Sequence, residues 1–156
     1  MSAGPDAGPA EGSDERPRDL PHDRAAALLG VIARSPFAQL MGLQIKIAGD
    51  EILATLPFDE KLIGNHVIRA LHGGAIASFL ELTATARVHL AADQPRQPKI
   101  IDITVDYLRQ GKAENLYATA RIVKLGRRMA SVHAEAWQQE RAKPVSVLTA
   151  HFLIGG

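Results

Sequence analysis

The spacing between apolar residues changes along the chain, and each spacing predicts a helix or a strand. Apolar residues three and four positions apart over 23–34 predict an amphipathic helix. Pro36 ends it, because the residue before a proline avoids the helical region. A short helical turn over 37–41 follows. Between 43 and 58 apolar residues alternate with polar ones about a turn at Gly49, which predicts a hairpin of two strands.

The rest of the chain is predicted to contain one long helix and four strands. An irregular loop over 59–71 leads into a nearly all-apolar helix, which runs from Gly73 or Gly74 to about Ala92 and stops before Pro95. Alternation then predicts four strands with short connections, over 99–109, 116–125, 129–139 and 145–154.

A helix that is apolar on most sides must be covered on most sides. We therefore expect an α+β fold in which an antiparallel sheet of about six strands wraps around the long helix. Six strands do not enclose a helix of this length alone, so we also expect pairing with a second copy.

Composition narrows the class of protein. The 156 residues suit one domain, and a net charge of +1 gives no electrostatic case for nucleic acid or an anionic membrane. The absence of cysteine excludes disulfides and thiol nucleophiles. Residues 1–21 are rich in Pro, Gly and acids, which predicts a disordered tail before a folded domain over 22–156. With no apolar run long enough to span a bilayer and no secretory signal, we expect a cytoplasmic protein.

The most unusual stretch is the start of the long helix, where His72-Gly73-Gly74 precedes apolar turns that carry one acid, Glu81. Free N–H groups and the helix dipole favour negative charge at a helix N-terminus, and glycine permits close backbone approach. A carboxylate buried without partners costs several kcal/mol, which is tolerated where the acid has a chemical role. The pattern predicts an active site. The alternatives are a plain helix-entry turn and a Glu81 that is exposed or paired at a subunit interface.

These residues match the pattern of a known family. The segment from Phe37 to the C-terminus resembles the hotdog-fold acyl-CoA thioesterases of the phenylacetate-pathway (PaaI-like) type. The resemblance rests on the HGG motif at 72–74, the acid nine residues after the histidine, the strand over 101–109 and the turn and strand over 126–130. It implies the hotdog fold, hydrolysis of an acyl-CoA thioester with no separate cofactor, and a homodimer with a continuous sheet, commonly paired into a tetramer.

The resemblance implies a role for each residue of the motif. Glu81 is the nucleophile or the base that activates water, and the Gly73 N–H polarises the thioester carbonyl, with Gly74 beside it among the binding residues. Thr85, one helical turn after Glu81, positions the acid or the water, unless its hydroxyl only bonds its own backbone. His72 is interpreted as a positioning residue that caps or orients the loop, with general-base catalysis as the other reading.

The chain departs from the family at one position. Family members usually carry Asn or Gln six residues before the motif histidine, where the amide contacts substrate or water. His66 stands at that position here, and Asn65 lies one residue earlier. Either residue could fill the role, and a histidine can shuttle protons where an amide cannot.

A basic turn at Arg127 and Arg128, with Lys124 nearby, is a candidate for binding the phosphates of coenzyme A, because guanidinium groups match phosphate bidentately. The alternative is ordinary solvated charge. Arg96 and Lys99 are weaker candidates of the same kind. The six histidines show no metal-ligand spacing and there is no His-Glu-x-x-His pattern, so we expect no metal site.

The prediction is therefore an acyl-CoA thioesterase. One alternative is a hotdog hydratase or dehydratase, which usually carries a catalytic histidine with an acid in a different loop-helix pattern. The other is a non-catalytic acyl-CoA-binding hotdog protein. The acid at Glu81 argues against that reading, since a binder gains nothing from a buried carboxylate.

Overall fold

The computed structural model describes residues 21–92 and 96–155. All but the last residue of the predicted tail over 1–21 lies outside the described residues. Within these described residues, three helices occur in chain order with eight strands and one 3-10 turn at Glu60–Leu62. The helices are α1 (Pro21–Arg34), α2 (Pro36–Met41) and α3 (Gly73–Ala91). The strands are β1 (Gln44–Ala48), β2 (Glu51–Leu56), β3 (Ile63–Asn65), β4 (Ala70–Leu71), β5 (Lys99–Tyr107), β6 (Leu116–Leu125), β7 (Met129–Trp137) and β8 (Ser146–Leu153).

Six strands form one antiparallel sheet in the order β1-β2-β6-β7-β8-β5, and β3 and β4 form a small second sheet. The predicted antiparallel sheet of about six strands around a long helix is thereby confirmed. Strand β5 follows α3 in sequence but pairs with β8, at the opposite edge from the β1–β2 hairpin. The connection from β5 to β6 therefore passes over β8 and β7, and one edge of β5 has no neighbour among the described residues.

Helix α3 lies in the concave face of the sheet. Four of its side chains are fully buried against the inner faces of the strands, namely Phe79, Leu80, Ala84 and Val88. On another side of α3, Leu28 of α1 packs with Ala86 and Leu90 in a second cluster. Burial by the sheet on one side and by α1 on another explains why this helix is apolar around most of its circumference.

Short local signals fix the entry to the first hairpin. Ser35 caps α2, with its Oγ accepting the Ala38 N–H at 3.2 Å, and Pro36 occupies the first helical position where its missing N–H is not needed. Gly42 ends α2 with φ of 72°, a left-handed conformation that favours glycine. The backbone then turns into β1.

Some strands end earlier than the alternation predicts. Leu108 and Arg109, which were predicted to continue β5, donate their N–H groups to the Val145 carbonyl outside the regular ladder. Strand β7 stops at Trp137, and β8 covers Ser146–Leu153 within the predicted 145–154. The period of a sequence identifies which residues share a face, but it does not show where the ladder of hydrogen bonds stops.

Candidate active site

The mouth of α3 is organised by His72. Its Nδ1 accepts the Gly74 N–H at 2.9 Å, and its backbone carbonyl accepts the N–H groups of Ala75 and Ile76 at 3.0 and 3.1 Å. His72 is thus the N-cap of the helix, and the Gly74 N–H is engaged within the protein. The Gly73 N–H has no acceptor among the described residues, which leaves it as a donor directed out of the helix end.

The same glycine pair is held from a second direction by Tyr107, at the end of β5. The Tyr107 hydroxyl donates to the Gly73 carbonyl oxygen at 2.8 Å. The peptide between Gly73 and Gly74 is consequently fixed at both ends, at its oxygen by Tyr107 and at its N–H by His72. Sequence reasoning did not single out Tyr107. One feature of the sequence could have identified Tyr107. It is the last inward-facing residue of the alternating strand on which the family resemblance partly rests.

The loop before the helix packs tightly against the histidine. A Cβ added to Gly64 would lie 2.7 Å from the His72 Cα, so no larger residue fits there without moving the backbone. Arg69 has φ of 50° and donates to the Glu60 carboxylate, an exposed ion pair that closes the loop. The hydrogen bond from Arg69 lowers the pKa of the Glu60 carboxyl.

The two candidates for the family's amide position differ in their surroundings. Asn65 Oδ1 accepts the N–H groups of Val67 and Ile68 at 3.0 and 3.4 Å, which makes Asn65 part of the turn itself. The neighbouring His66 side chain is exposed and has no hydrogen bond to any described residue. Of the two side chains, Asn65 has its oxygen engaged within the loop, whereas both ring nitrogens of His66 have no hydrogen bond there.

Glu81 lies two turns into α3 and is half-buried, where the sequence suggested a buried acid. Its carboxylate has no hydrogen-bond or ion-pair partner among residues 21–92 and 96–155. The Thr85 hydroxyl donates to the backbone carbonyl of Glu81 at 2.8 Å, so that hydroxyl bonds its own helix rather than the carboxylate. The family role implied for Thr85 therefore has no support from this geometry.

Gly73 and Glu81 are separated by eight residues of one helix, which corresponds to about 12 Å along its axis. A single thioester carbonyl group needs an oxyanion donor about 3 Å from its oxygen and a base within hydrogen-bond reach of the attacking water. The described chain does not bring the two groups together around one substrate atom. One copy of the chain therefore carries two separated halves of such a site.

The basic turn lies far from the mouth of its own helix. Arg127 and Arg128 are exposed between β6 and β7, beside Met129, whereas the opposite end of β7 at Trp137 lies level with Tyr107. The eight residue steps of β7 span about 26 Å. Lys99, paired with Leu153, lies at the same distant end. The structure does not bring these predicted phosphate ligands to Gly73 of the same chain.

Apolar surface is exposed next to the site. On β5, Ile103 and Tyr107 point to the inner side of the sheet, in register with the buried Ala150 and Ser146, yet they are 39% and 53% exposed. Val67, at the tip of the loop before the helix, is 93% exposed. Uncovered apolar side chains along a free strand edge are typical of a surface that meets a partner.

Two further features are absent from the described part of the chain. None of its helices is long and apolar enough to cross a bilayer. None of its His, Asp and Glu side chains form a group of three or more that could hold a metal ion.

The fold agrees with comparisons to known proteins. The sequence model of the family described as "Thioesterase superfamily" matches residues 69–145, from the loop before α3 to the start of β8. A relative from Escherichia coli K12, "Medium/long-chain acyl-CoA thioesterase YigI", is 29% identical over 153 residues, which cover 87% of this chain and 97% of the relative.

Solved structures give the same result. A protein described as belonging to the thioesterase superfamily superposes with a TM-score of 0.77 at 26% identity, covering 86% of this chain and all of that chain. The Escherichia coli PaaI protein of the phenylacetic acid degradation operon shares the fold, with a TM-score of 0.73 at 22% identity and coverage of 88% and 96%. The chain is therefore a thioester hydrolase with the hotdog fold, and its residues 69–145 resemble the thioesterase superfamily.

Proposed function

We propose that this enzyme hydrolyses an acyl-CoA thioester to the free acid and coenzyme A, with an acyl group in the medium to long range. The observation that carries the proposal is the unengaged Gly73 N–H at a helix N-terminus whose neighbouring groups are all held by the protein. Preorganised donors of this kind stabilise an oxyanion because they need no reorganisation during the reaction. The name of the YigI relative supports the choice of acyl group.

The proposed reaction uses water as the nucleophile. The Glu81 carboxylate accepts a proton from water as the water oxygen bonds to the thioester carbonyl carbon, and the carbonyl oxygen becomes an oxyanion held by the Gly73 N–H. Collapse of this intermediate breaks the carbon–sulfur bond, and the departing thiolate takes the proton from Glu81. In the covalent variant, the Glu81 carboxylate attacks the carbonyl carbon itself and expels the coenzyme A thiolate, which takes a proton from water. Water then hydrolyses the resulting anhydride and restores Glu81.

The site is proposed to form between two copies, since about 12 Å of helix separates Gly73 from Glu81 in one chain. Antiparallel pairing of β5 with β5 of a second copy would extend the sheet and cover the exposed inner face at Ile103. A two-fold axis at this edge lets the Gly73 N–H of one subunit and the Glu81 carboxylate of the other act on the same thioester. Pairing of two such dimers into a tetramer remains an expectation from the family.

The same two-fold pairing gives the basic turn a use. Antiparallel strands set the Tyr107 end of one subunit beside the Lys99 end of the other, which is the end that carries Arg127 and Arg128. We propose that these guanidinium groups reach the phosphates of a coenzyme A bound at the mouth of the neighbouring α3.

His66 is proposed to fill the position usually held by an amide, because Asn65 Oδ1 is already engaged in the loop turn. An exposed imidazole on the loop before α3 can donate a hydrogen bond to the attacking water or to the substrate. His72 is assigned the positioning role only, since its Nδ1 is committed to the Gly74 N–H.

The proposal is tested by thiol release from acyl-CoA substrates, using wild type and Glu81→Gln. We expect the variant to lose about a hundredfold or more in kcat, because general-base catalysis contributes on this scale. Glu140→Gln, which changes an exposed acid paired with Lys143 in the turn after β7, is the control and retains activity. Equal rates for Glu81→Gln and wild type would reject the assignment, and tight acyl-CoA binding without turnover by wild type would favour a binding protein. Single-turnover labelling with oxygen-18 water separates the two mechanisms, since only the anhydride route leaves label in Glu81.

A further inference from the structure

A cavity of about 400 Å³ lies between the two N-terminal helices and the second half of α3. Most of its lining is apolar, contributed by Leu28, Val31, Ile32, Ala38, Leu43, Leu82 and Ala86. Polar groups occur at Arg34, Ser35, Thr85, His89 and Gln97. Small-molecule sites are commonly concave, largely apolar and about 300–1,000 Å³ in volume, so the cavity has the size and lining of a ligand site.

The cavity begins one helical turn from the candidate acid. Thr85 and His89 lie four and eight residues after Glu81, on adjacent turns of the same side of α3, and both line the cavity. The distance from Glu81 to His89 is about 12 Å along the axis. When the thioester carbonyl group of the substrate lies beside Glu81, its acyl chain can therefore extend along this side of the helix into the cavity.

The polar groups of the cavity floor are compatible with an apolar occupant. The Thr85 hydroxyl is satisfied by the Glu81 carbonyl, so it needs no partner from a ligand. Burial lowers the pKa of the His89 imidazole, which favours its neutral form. Thr85 and His89 consequently present no fixed charge to a hydrocarbon chain, and the charged Arg34 of the lining is exposed to solvent.

We propose that this cavity binds the acyl chain of the substrate and that Val31 of α1 sets the chain length it accepts. The inference rests on the proposed thioesterase function and specifies its substrate. Val31 is half-buried and lines the cavity, but it is not part of the packed cluster of Leu28, Ala86 and Leu90 beside it. Its size therefore changes the depth of the cavity more than the packing of the core.

Helix α1 is suited to carry specificity because it is separate from the catalytic elements. The family match begins at residue 69, whereas α1 ends at Arg34. Gly73 and Glu81 belong to α3, and a change in α1 leaves their backbone untouched. The catalytic groups thus lie on α3, whereas the residue that selects the length of the acyl chain lies on α1.

The test measures kcat/KM over a series from acetyl-CoA to palmitoyl-CoA for wild type, Val31→Trp, Val31→Ala and the control Leu29→Trp. Leu29 lies on the same helix, is 44% exposed and does not line the cavity. We expect Val31→Trp to lower the ratio of long-chain to acetyl-CoA turnover at least tenfold and to move the optimum to shorter chains. Val31→Ala should move the optimum to longer chains, and Leu29→Trp should leave it unchanged. Each methylene excluded from the cavity should cost about fourfold in kcat/KM, which corresponds to about 0.8 kcal/mol.

The outcomes separate this inference from the function on which it rests. If wild type hydrolyses no acyl-CoA of any length, the proposed function fails. If wild type is active and the chain-length profile is the same in all four proteins, or if Val31→Trp lowers every substrate equally, the acyl-chain assignment is overturned. Because Val31→Ala only removes atoms, it keeps the test decisive should the tryptophan variant fail to fold.

Discussion

Replacing Gly73 by proline tests the oxyanion donor with little disturbance of the fold, because Gly73 is the first residue of α3. Proline is favoured at that helix position and removes only an N–H that has no intrahelical acceptor. The preceding His72 has φ of −65° and ψ of 129°, the extended conformation that a residue before proline adopts. A Cβ at Gly73 would lie 3.4 Å from the Tyr107 ring, which is an ordinary contact. We therefore expect the free energy of unfolding to change by less than about 1 kcal/mol.

The effect on catalysis should be much larger than the effect on stability. Loss of one oxyanion donor lowers kcat by about a hundred- to a thousandfold, equivalent to about 2.7–4 kcal/mol of transition-state stabilisation. The matched control is Gly73→Ala, which keeps the N–H and makes the same contact with Tyr107, and it should retain activity within about tenfold. Thiol-release kinetics measure both variants, product inhibition by coenzyme A reports whether binding survives, and thermal unfolding reports stability. If Gly73→Pro were as active as Gly73→Ala, the Gly73 N–H would not be the donor.

Three further results are expected. Tyr107→Phe removes the hydrogen bond to the Gly73 carbonyl, worth about 1 kcal/mol, so kcat should fall about fivefold at unchanged KM, and an unchanged kcat would remove the positioning role. Gly74→Ala puts a Cβ 2.9 Å from His72 Nδ1 and breaks the cap, so kcat should fall at least fivefold while the gain in helix propensity offsets part of the lost stability. Burial lowers the pKa of His89 below its ordinary 6.5, so its contribution to stability is complete above pH 6.5 and declines as pH falls toward the folded value. His89→Asn should therefore lose less Tm than wild type between about pH 7.5 and 5.5, and equal losses would exclude this linkage.

Most of the fold follows from local pattern. The change from a helical period to a period of two locates α1, the first hairpin and the later strands, and the continuous apolar run locates α3. The order of the strands within the sheet cannot be predicted from this local pattern. Alternation shows that Ile103 and Asp102 lie on opposite faces of β5, but it does not show that β5 pairs with β8 and leaves an edge free.

The site is predictable where its residues are close in sequence. His72, Gly73 and Glu81 lie on or beside one helix, where their spacing and the family resemblance make them candidates. Tyr107 was missed because it reaches the helix mouth only through the sheet, from 34 residues away. The basic turn at Arg127 and Arg128 illustrates the opposite case. Its composition favoured phosphate binding, but the sequence did not show that about 26 Å of strand separates this turn from the mouth of its own helix.

The most direct test of a site shared between two subunits is a mixed assembly of two inactive variants. Gly73→Pro keeps its Glu81 and Glu81→Gln keeps its Gly73, so a mixed dimer has one intact site if the two groups come from different subunits. Random reassociation makes half of the dimers mixed, and activity should therefore return to about a quarter of the wild-type value. If the mixture stays as inactive as its components while reassociation is demonstrated, both groups act from one chain and the shared site is refuted.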